Sequence, residues 1–564
     1  MRKLVLLLPV VAIVAVAAGA AGAGDNDSGF KTAHASMLTP VAPGATVEAI
    51  ITVGDEVGGY RFESVPDGIS LRQRGQGRLD LFVNHETSTV PFPYTPLAPT
   101  ELNSQNDFDN AQLSHLILNQ HSGGVLHGSL VIRSEENFQR FCSNYLATEK
   151  DGFDRSMLFT NEEAIDWVNR TGKAWPATIG ADEARQAGAV VAFDPRGGKQ
   201  KTIWGMGRHN HENSVAIPGY GKPVVVSGDD AFVNNPPQSQ FYAYIAEDAD
   251  AVWNDEGDLW AFVSDTPGFD DYFDFTPGSP AEIQGHFEKV PKDIATGRNP
   301  DGTDLMSSDK GYPAPPNDGS WQRDPSGVGI DGPQWVLEHW GDIQPKPAFQ
   351  FVRIEDTTYD RRPGMSNVMY LIDSGRGTTG SPQPGRSTNG RVWKMVLDPD
   401  DPTKVLSLSI LIEGDDKPVK SPDEIHQPDN IDSTGNSLLI TEDPGSSQQF
   451  PFDSTDPNAT TARIWRYSLA TGVMDVAAKV DQSADEGPTD VDSTPLRGNL
   501  GSWESSGVID ASSVFGPGAF LVTIQAPSLW IEKAPGDDNV APAGPDFTYK
   551  RSGGQLVLLR VPGA

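Results

Sequence analysis

One cysteine, Cys142, stands in a chain of 564 residues, so no intrachain disulfide can form. With no histidine close to it in sequence, Cys142 is expected as a small buried hydrophobe rather than a nucleophile. Basic charge is also scarce: 43 Lys and Arg face 77 Asp and Glu, a net charge of -34. Such a surface repels nucleic acid, whose binding needs clustered cations. Beyond the N-terminus no apolar run approaches the length of a membrane span. No phosphate loop of the P-loop type, no GxSxG elbow and no HExxH zinc motif occurs, which argues against nucleotide hydrolysis, serine catalysis and zincin chemistry.

Arg2 and Lys3, the apolar residues 4–18 and the small residues 21–23 together form a secretory signal, expected to be cleaved after residue 23. The N-terminal region has no twin-arginine pair, so export of the unfolded chain by a Sec-type route is expected, to the periplasm or the extracellular space. Residues 24–45 are small and polar and suggest a linker. From residue 46 to 564 short apolar runs alternate with turn residues, in a chain with 58 Gly and 45 Pro, which favours one all-β domain.

Self-comparison organises that domain. Apolar strands ending on a polar tip recur as LFVNHE (81–86), LFTNEE (158–163), VVVSGDD (224–230), MYLIDSG (369–375), LLITEDPG (438–445) and FLVTIQAP (520–527). Upstream of several lies a polar cluster: PDG (66–68), HEN (211–213), RIED (353–356), PDN (428–430) and WESSGVID (503–510). Six copies predict a six-bladed β-propeller whose innermost strands present their tips to one central channel. One step is about twice the others, and residues 266–334 within it are expected as a long insertion, a lid or covering loop. GRVWKMVLD and ARIWRYSLA carry a Trp at the same place and are expected as equivalent strands of successive blades.

Taken singly, an acid at a strand tip is a turn former. Six tips in one phase argue for a shared site. Glu86, Glu162, Glu163, Glu212, Asp229, Asp230, Glu355, Asp429, Glu442 and Asp443 would give a hard cation such as Ca²⁺ its oxygen ligands if they converge. So many carboxylates on one axis would repel each other without cations. His85, His209 and His211 offer nitrogen to a transition metal, or hydrogen bonds that orient a carboxylate ligand. Arg208 and Arg353 stand four and two residues before a Glu, either as salt bridges or as clamps for an anionic substrate.

The ordered set FVNHE, TNEEA, GRHNHE with SGDD, VRIED, and PDN with ITED resembles the PhoX-type alkaline phosphatases over roughly residues 61–526. The resemblance implies a secreted six-bladed propeller with iron and calcium at its channel mouth, hydrolysing phosphate monoesters. It places Glu86, Glu162, Glu163, Glu212, Asp229, Glu355, Asp429 and Asp443 in or near the metal shell and Arg353 on the phosphate, with Glu212 and Arg353 carrying catalysis. The chain departs from the family pattern in three respects. Asn161 stands where the family has a Cys before the Glu pair, Ala526 follows Gln525 where a His is usual, and the twin-arginine signal is missing. Ca²⁺ is therefore the expected cofactor, with Fe³⁺ or another transition metal beside it. The expected partner is a small phosphorylated substrate, with no nucleic acid and no membrane after signal cleavage, and the chain is expected to be a monomer. Two further functions fit the pattern: a calcium-dependent lactonase or esterase using Asn213 and Asn430, and a non-catalytic, calcium-stabilised binding propeller.

Overall fold

The structure, a computed structural model, describes residues 28–86, 111–133, 136–165, 167–169, 184–231, 236–276, 281–323, 327–375, 389–414, 421–443, 450, 454–482, 503–532 and 549–564. The expected signal, residues 1–23, lies outside the described residues. Among the described residues no helix is long and apolar enough to cross a membrane.

Nearly all regular structure is β, and the strands form antiparallel meanders in chain order. Pro66–Gly75, Arg78–His85, Gln112–Asn119 and Val125–Ile132 make the first sheet. Phe141–Ala147, Met157–Glu162, Val190–Asp194 and Lys199–Ile203 make the second. A nine-stranded sheet follows. It consists of two meanders, starting at His211–Ala216 and at Ile354–Tyr359, zipped together by Glu282–Lys289. That strand pairs with Asp258–Ser264 on one side and Lys404–Glu413 on the other. The segment expected as a lid or covering loop thus contributes a strand to the sheet.

Two more meanders start at Pro428–Ser433 and Glu504–Asp510. Here the N-terminal residues re-enter. Leu38–Pro40, inside the expected linker, adds an edge strand beside Met474–Val480. Thr46–Thr52 completes the last sheet against Tyr549–Arg560, so the two ends of the chain are joined by a ladder of hydrogen bonds.

The arrangement is propeller-like, because the apolar clusters lie between successive sheets. Leu158, Val191 and Phe193 of the second sheet pack on Phe82 and Leu113 of the first. Ile431, Leu438 and Trp465 pack on Tyr370 and Ile372. Leu521 and Leu556 of the last sheet pack back on Ile69 and Leu81 of the first, which closes the circle. Second strands such as Met157–Glu162, Val224–Asp229, Val368–Asp373 and Ser437–Glu442 are buried at every position, because both faces of the sheet are covered there. The starting strands of the meanders contact one another in sequence around the axis. The Trp residues expected to be equivalent are so: Trp393 and Trp465 sit on the third strands of adjacent meanders.

Candidate metal centre

One local irregularity, repeated six times, builds the site. In each starting strand two residues oppose a single residue of the second strand, a β-bulge. The bulged pairs are Asp67–Gly68, Cys142–Ser143, Glu212–Asn213, Glu355–Asp356, Asp429–Asn430 and Ser506–Gly507. A bulge breaks the two-residue alternation and re-aims side chains, here at the axis. Among the first bulge residues are four carboxylates, the only thiol and a hydroxyl. The second bulge residues all line a cavity of about 470 Å³ within the ring of starting strands. Two of them are glycine for a steric reason. A Cβ on Gly68 would lie 2.4 Å from Ser143 Cα, and one on Gly507 would lie 2.6 Å from the Asp67 carbonyl oxygen.

The residue before four of the six bulged strands is also unusual. Val65, Arg140, Arg353 and Gln427 have φ of 52°, 42°, 56° and 47°, a left-handed conformation costing roughly 1–2 kcal/mol each for side chains of this kind. Their carbonyls, with that of Asn210, accept backbone bonds of 2.8–3.1 Å from Glu86, Glu163, Asp230, Ser374 and Asp443, the residues just past the second-strand tips. These bonds bring the tip residues over the bulge residues.

The result is three overlapping groups whose ligand atoms lie within 4.8 Å of one another: Asp67, Glu86 and Cys142; Cys142, Glu163 and Glu212; Glu212, Glu355 and Asp429. Every member is a first bulge residue or a residue just past a tip. Ser143 Oγ and Asn430 Nδ2 donate to Glu212 Oε1 at 2.9 and 3.2 Å, while among the described residues the buried Glu212 Oε2 has no hydrogen-bond partner. Cys142 Sγ donates to Asp67 Oδ2 at 2.8 Å. Glu355 accepts from Ser374 Oγ and forms an ion pair with Arg353 Nη2 at 3.1 Å. Glu504, which precedes the last bulge, is half-buried beside Asp443, Asp429 and Glu86.

Burial first, and the neighbouring carboxylates second, push Glu86, Glu163, Glu212, Glu355, Asp429 and Glu504 well above the usual carboxylate range. The same two causes raise the Cys142 thiol. Such a set cannot ionise together unless cations neutralise it. The unpartnered Glu212 oxygen and the all-acid, one-thiol donor set therefore fit bound metal ions.

Seven of the nine residues expected from sequence stand at this mouth: Glu86, Glu163, Glu212, Glu355, Asp429, Asp443 and Arg353. The other two do not. Glu162 and Asp229 are second-strand tips, one residue before the inward position, and the strand alternation turns them away. Glu162 receives a two-pronged salt bridge from Arg185 at 2.7 and 2.8 Å, plus backbone bonds from Gln139 and Ala189. Asp229 accepts from the backbone N–H of Asn210 at 3.1 Å. Glu442, a tip of the same class, is held by Arg463 and Trp465.

The histidines are also elsewhere. The His209 and His211 rings lie against each other, tilted by 36° with centroids 3.5 Å apart, and His85 bonds Ser114 and the Ser64 carbonyl. Arg208 is fully buried against Asp304 at 3.1 Å and over the Trp204 ring, so its structural counterpart is not Arg353. The residue that shares Arg353's place before a bulge is Arg140.

Sequence reasoning missed Asp67, Cys142 and Glu504, and expected Asp230 as an oxygen ligand where the structure pairs it with Arg353. A signal existed for the first, since Pro66-Asp67-Gly68 and Pro428-Asp429-Asn430 begin their strands alike. Cys142 had none: it enters from the strand opposite Asn161, the position where a thiol was sought.

No model of a known protein family matches the chain, and no curated protein matches it. Among solved structures it is similar to Pseudomonas fluorescens PhoX in complex with vanadate, a transition-state analogue. The TM-score is 0.55 at 15% identity, covering 95% of this chain and 98% of that one. A PQQ-bound aldose sugar dehydrogenase from Streptomyces coelicolor (TM-score 0.30, 10% identity, 92% of this chain and 100% of that one) is more distant. So is NanB sialidase from Streptococcus pneumoniae (0.30, 9%, 91% and 70%). At these identities the likeness to PhoX is one of fold.

Proposed function

We propose that this chain is a secreted, metal-dependent hydrolase of phosphate monoesters, a divergent relative of the PhoX-type phosphatases built as a six-bladed propeller. Six bulged starting strands and six inter-sheet clusters support the blade count. The observation that carries the function is the ring of inward acids with a guanidinium at its edge.

Glu212, Glu355 and Asp429 offer only oxygen, which suits Ca²⁺. The groups containing Cys142 add a soft donor and suit a transition metal such as iron. Metal ions held there would supply Lewis acidity to the phosphoryl oxygens. The chain's own contribution is electrostatic and geometric. Arg353 presents its Nη1–Nη2 edge to the ring, near Glu355 and Asp443, where a doubly charged phosphate monoester would find a planar fork of donors. Arg140 holds the equivalent backbone place two modules away, before the bulge of Cys142. In hydrolysis a water oxygen bonds to phosphorus, the ester P–O bond breaks, and the alcohol takes up a proton.

The test is p-nitrophenyl phosphate turnover by the purified chain, with elemental analysis of the same sample. Turnover should be lost on chelation, return with calcium and iron, and fall in Glu212→Gln. Chelator-insensitive turnover, or none with both metals supplied, would count against the reading. Metal-dependent melting without turnover would favour the binding propeller. The lactonase alternative is less well supported, because the Asn213 amide is already committed to Asp356 at 2.7 Å.

A further inference from the structure

We propose that Asp230 is a positioning residue: a buried counter-ion that orients the Arg353 guanidinium toward the anion and that takes no part in holding metal. The proposal rests on the reading of Arg353 as an anion-binding group.

Asp230 occupies the place just past a second-strand tip, the place that Glu86 and Glu163 use to join the metal groups. By the repeat it should be a ligand. Instead both its oxygens are engaged by one guanidinium, with Arg353 Nε to Oδ1 and Nη2 to Oδ2 each at 2.9 Å. That parallel fork fixes the guanidinium plane as well as its position. The fork uses the Nε side, so the opposite Nη1–Nη2 edge is turned to the ring, against Glu355 at 3.1 Å and Asp443 at 3.7 Å.

Asp230 is itself held firmly. It is fully buried, its N–H bonds the Asn210 carbonyl at 3.0 Å, and its own carbonyl accepts from Asn210 Nδ2 at 2.9 Å. An arginine has several rotatable bonds and would sweep a wide arc at a channel mouth. A fixed carboxylate behind it removes that freedom before the substrate arrives, which is where a preorganised site gains over a flexible one. Asp230 touches no substrate in this scheme and acts only through Arg353.

The experiment compares wild type, Asp230→Asn, Asp230→Glu, Arg353→Lys and the double variant Asp230→Asn/Arg353→Lys. The readouts are metal content per chain, KM and kcat for p-nitrophenyl phosphate, and the Kd of inorganic phosphate by calorimetry. In Asp230→Asn one oxygen becomes an NH₂ group facing Arg353, and the fork is lost. KM and the phosphate Kd should rise about tenfold, with kcat changed less and metal content unchanged. Asp230→Glu should recover part of the affinity. In the Arg353→Lys background, which has no fork to orient, Asp230→Asn should add little.

Loss of a metal ion per chain in Asp230→Asn would overturn the proposal, since Asp230 would then be a ligand like Glu163. So would an unchanged phosphate Kd, or full additivity in the double variant. Should wild type bind phosphate without hydrolysing its esters, the phosphatase reading fails and the calorimetric Kd alone judges Asp230. Should wild type bind no phosphate, both fall.

Discussion

Glu162 and Glu163 are adjacent carboxylates with opposite expected behaviour, and replacing each by Gln isolates what strand alternation does. Glu162 is fully buried and Arg185 nearly so, joined by bonds of 2.7 and 2.8 Å. In Glu162→Gln the amide keeps one oxygen for the Gln139 or Ala189 N–H, but a guanidinium is left in the interior without its counter-charge. Breaking a buried pair this way costs about 3–5 kcal/mol. Among the described residues Glu163 has no such partner. It lies beside Asp230 and Glu86, and its ionised form is disfavoured by burial and by those neighbours. Removing its charge from metal-free protein should leave stability unchanged or slightly improved. In metal-loaded protein the same change should lower the melting temperature, because binding to the folded state alone is what adds stability. Thermal melts of both variants, with and without chelator, and metal analysis of each check this. Glu162→Gln should be destabilised in both states with metal content retained, and Glu163→Gln only in the loaded state with metal reduced. If Glu162→Gln instead lost metal while its metal-free melt matched wild type, the inward and outward assignment of the two residues would be wrong.

Cys142→Ser keeps the bulge and a donor to Asp67 but removes the soft ligand; transition-metal content should fall while calcium is retained, read by elemental analysis. Gly68→Ala forces a methyl to 2.4 Å from Ser143 Cα, so the ring must open and stability should drop by about 1–3 kcal/mol, measured by denaturant melts. Asp80, far from the mouth, tests pH dependence. Burial alone would raise its carboxyl, but hydrogen bonds from His115, Arg74 and Arg72 outweigh it, and the carboxyl lies below its usual range. A carboxyl whose folded pKa is depressed adds stability above its unfolded pKa, near 4, and loses it as pH falls toward the folded value. Asp80→Asn should therefore be less stable than wild type at pH 7, with the gap closing below about pH 4 in melts across that range.

Much of the mouth was legible because a repeat repeats its chemistry. Tips such as NHE, NEE and GDD follow apolar strands at similar spacing, and starts such as PDG, PDN and HEN precede them, so inward acids could be located to within a residue. That last residue was not legible. Glu162 and Glu163, or Asp229 and Asp230, are identical in kind, and only the register with the strand before them decides which faces the axis. Cys142 shows the limit from the other side. Alone in its surroundings, FCSNY gives no hint of a ligand, and only its place in a bulge beside Asp67 and Glu212 makes it a candidate.

By itself, then, the sequence determined an all-β chain of recurring strands, its acid excess, and the need for cations if those acids met. Apolar runs, turn residues and charge are local properties, and a local pattern repeated along the chain carries its meaning without folding. Tertiary structure alone decided which acids met. Bulge geometry, the pairing of Asp230 with Arg353 across 123 positions, and the capture of Glu162 by Arg185 depend on which strands lie side by side, and that is set by packing between sheets distant in sequence.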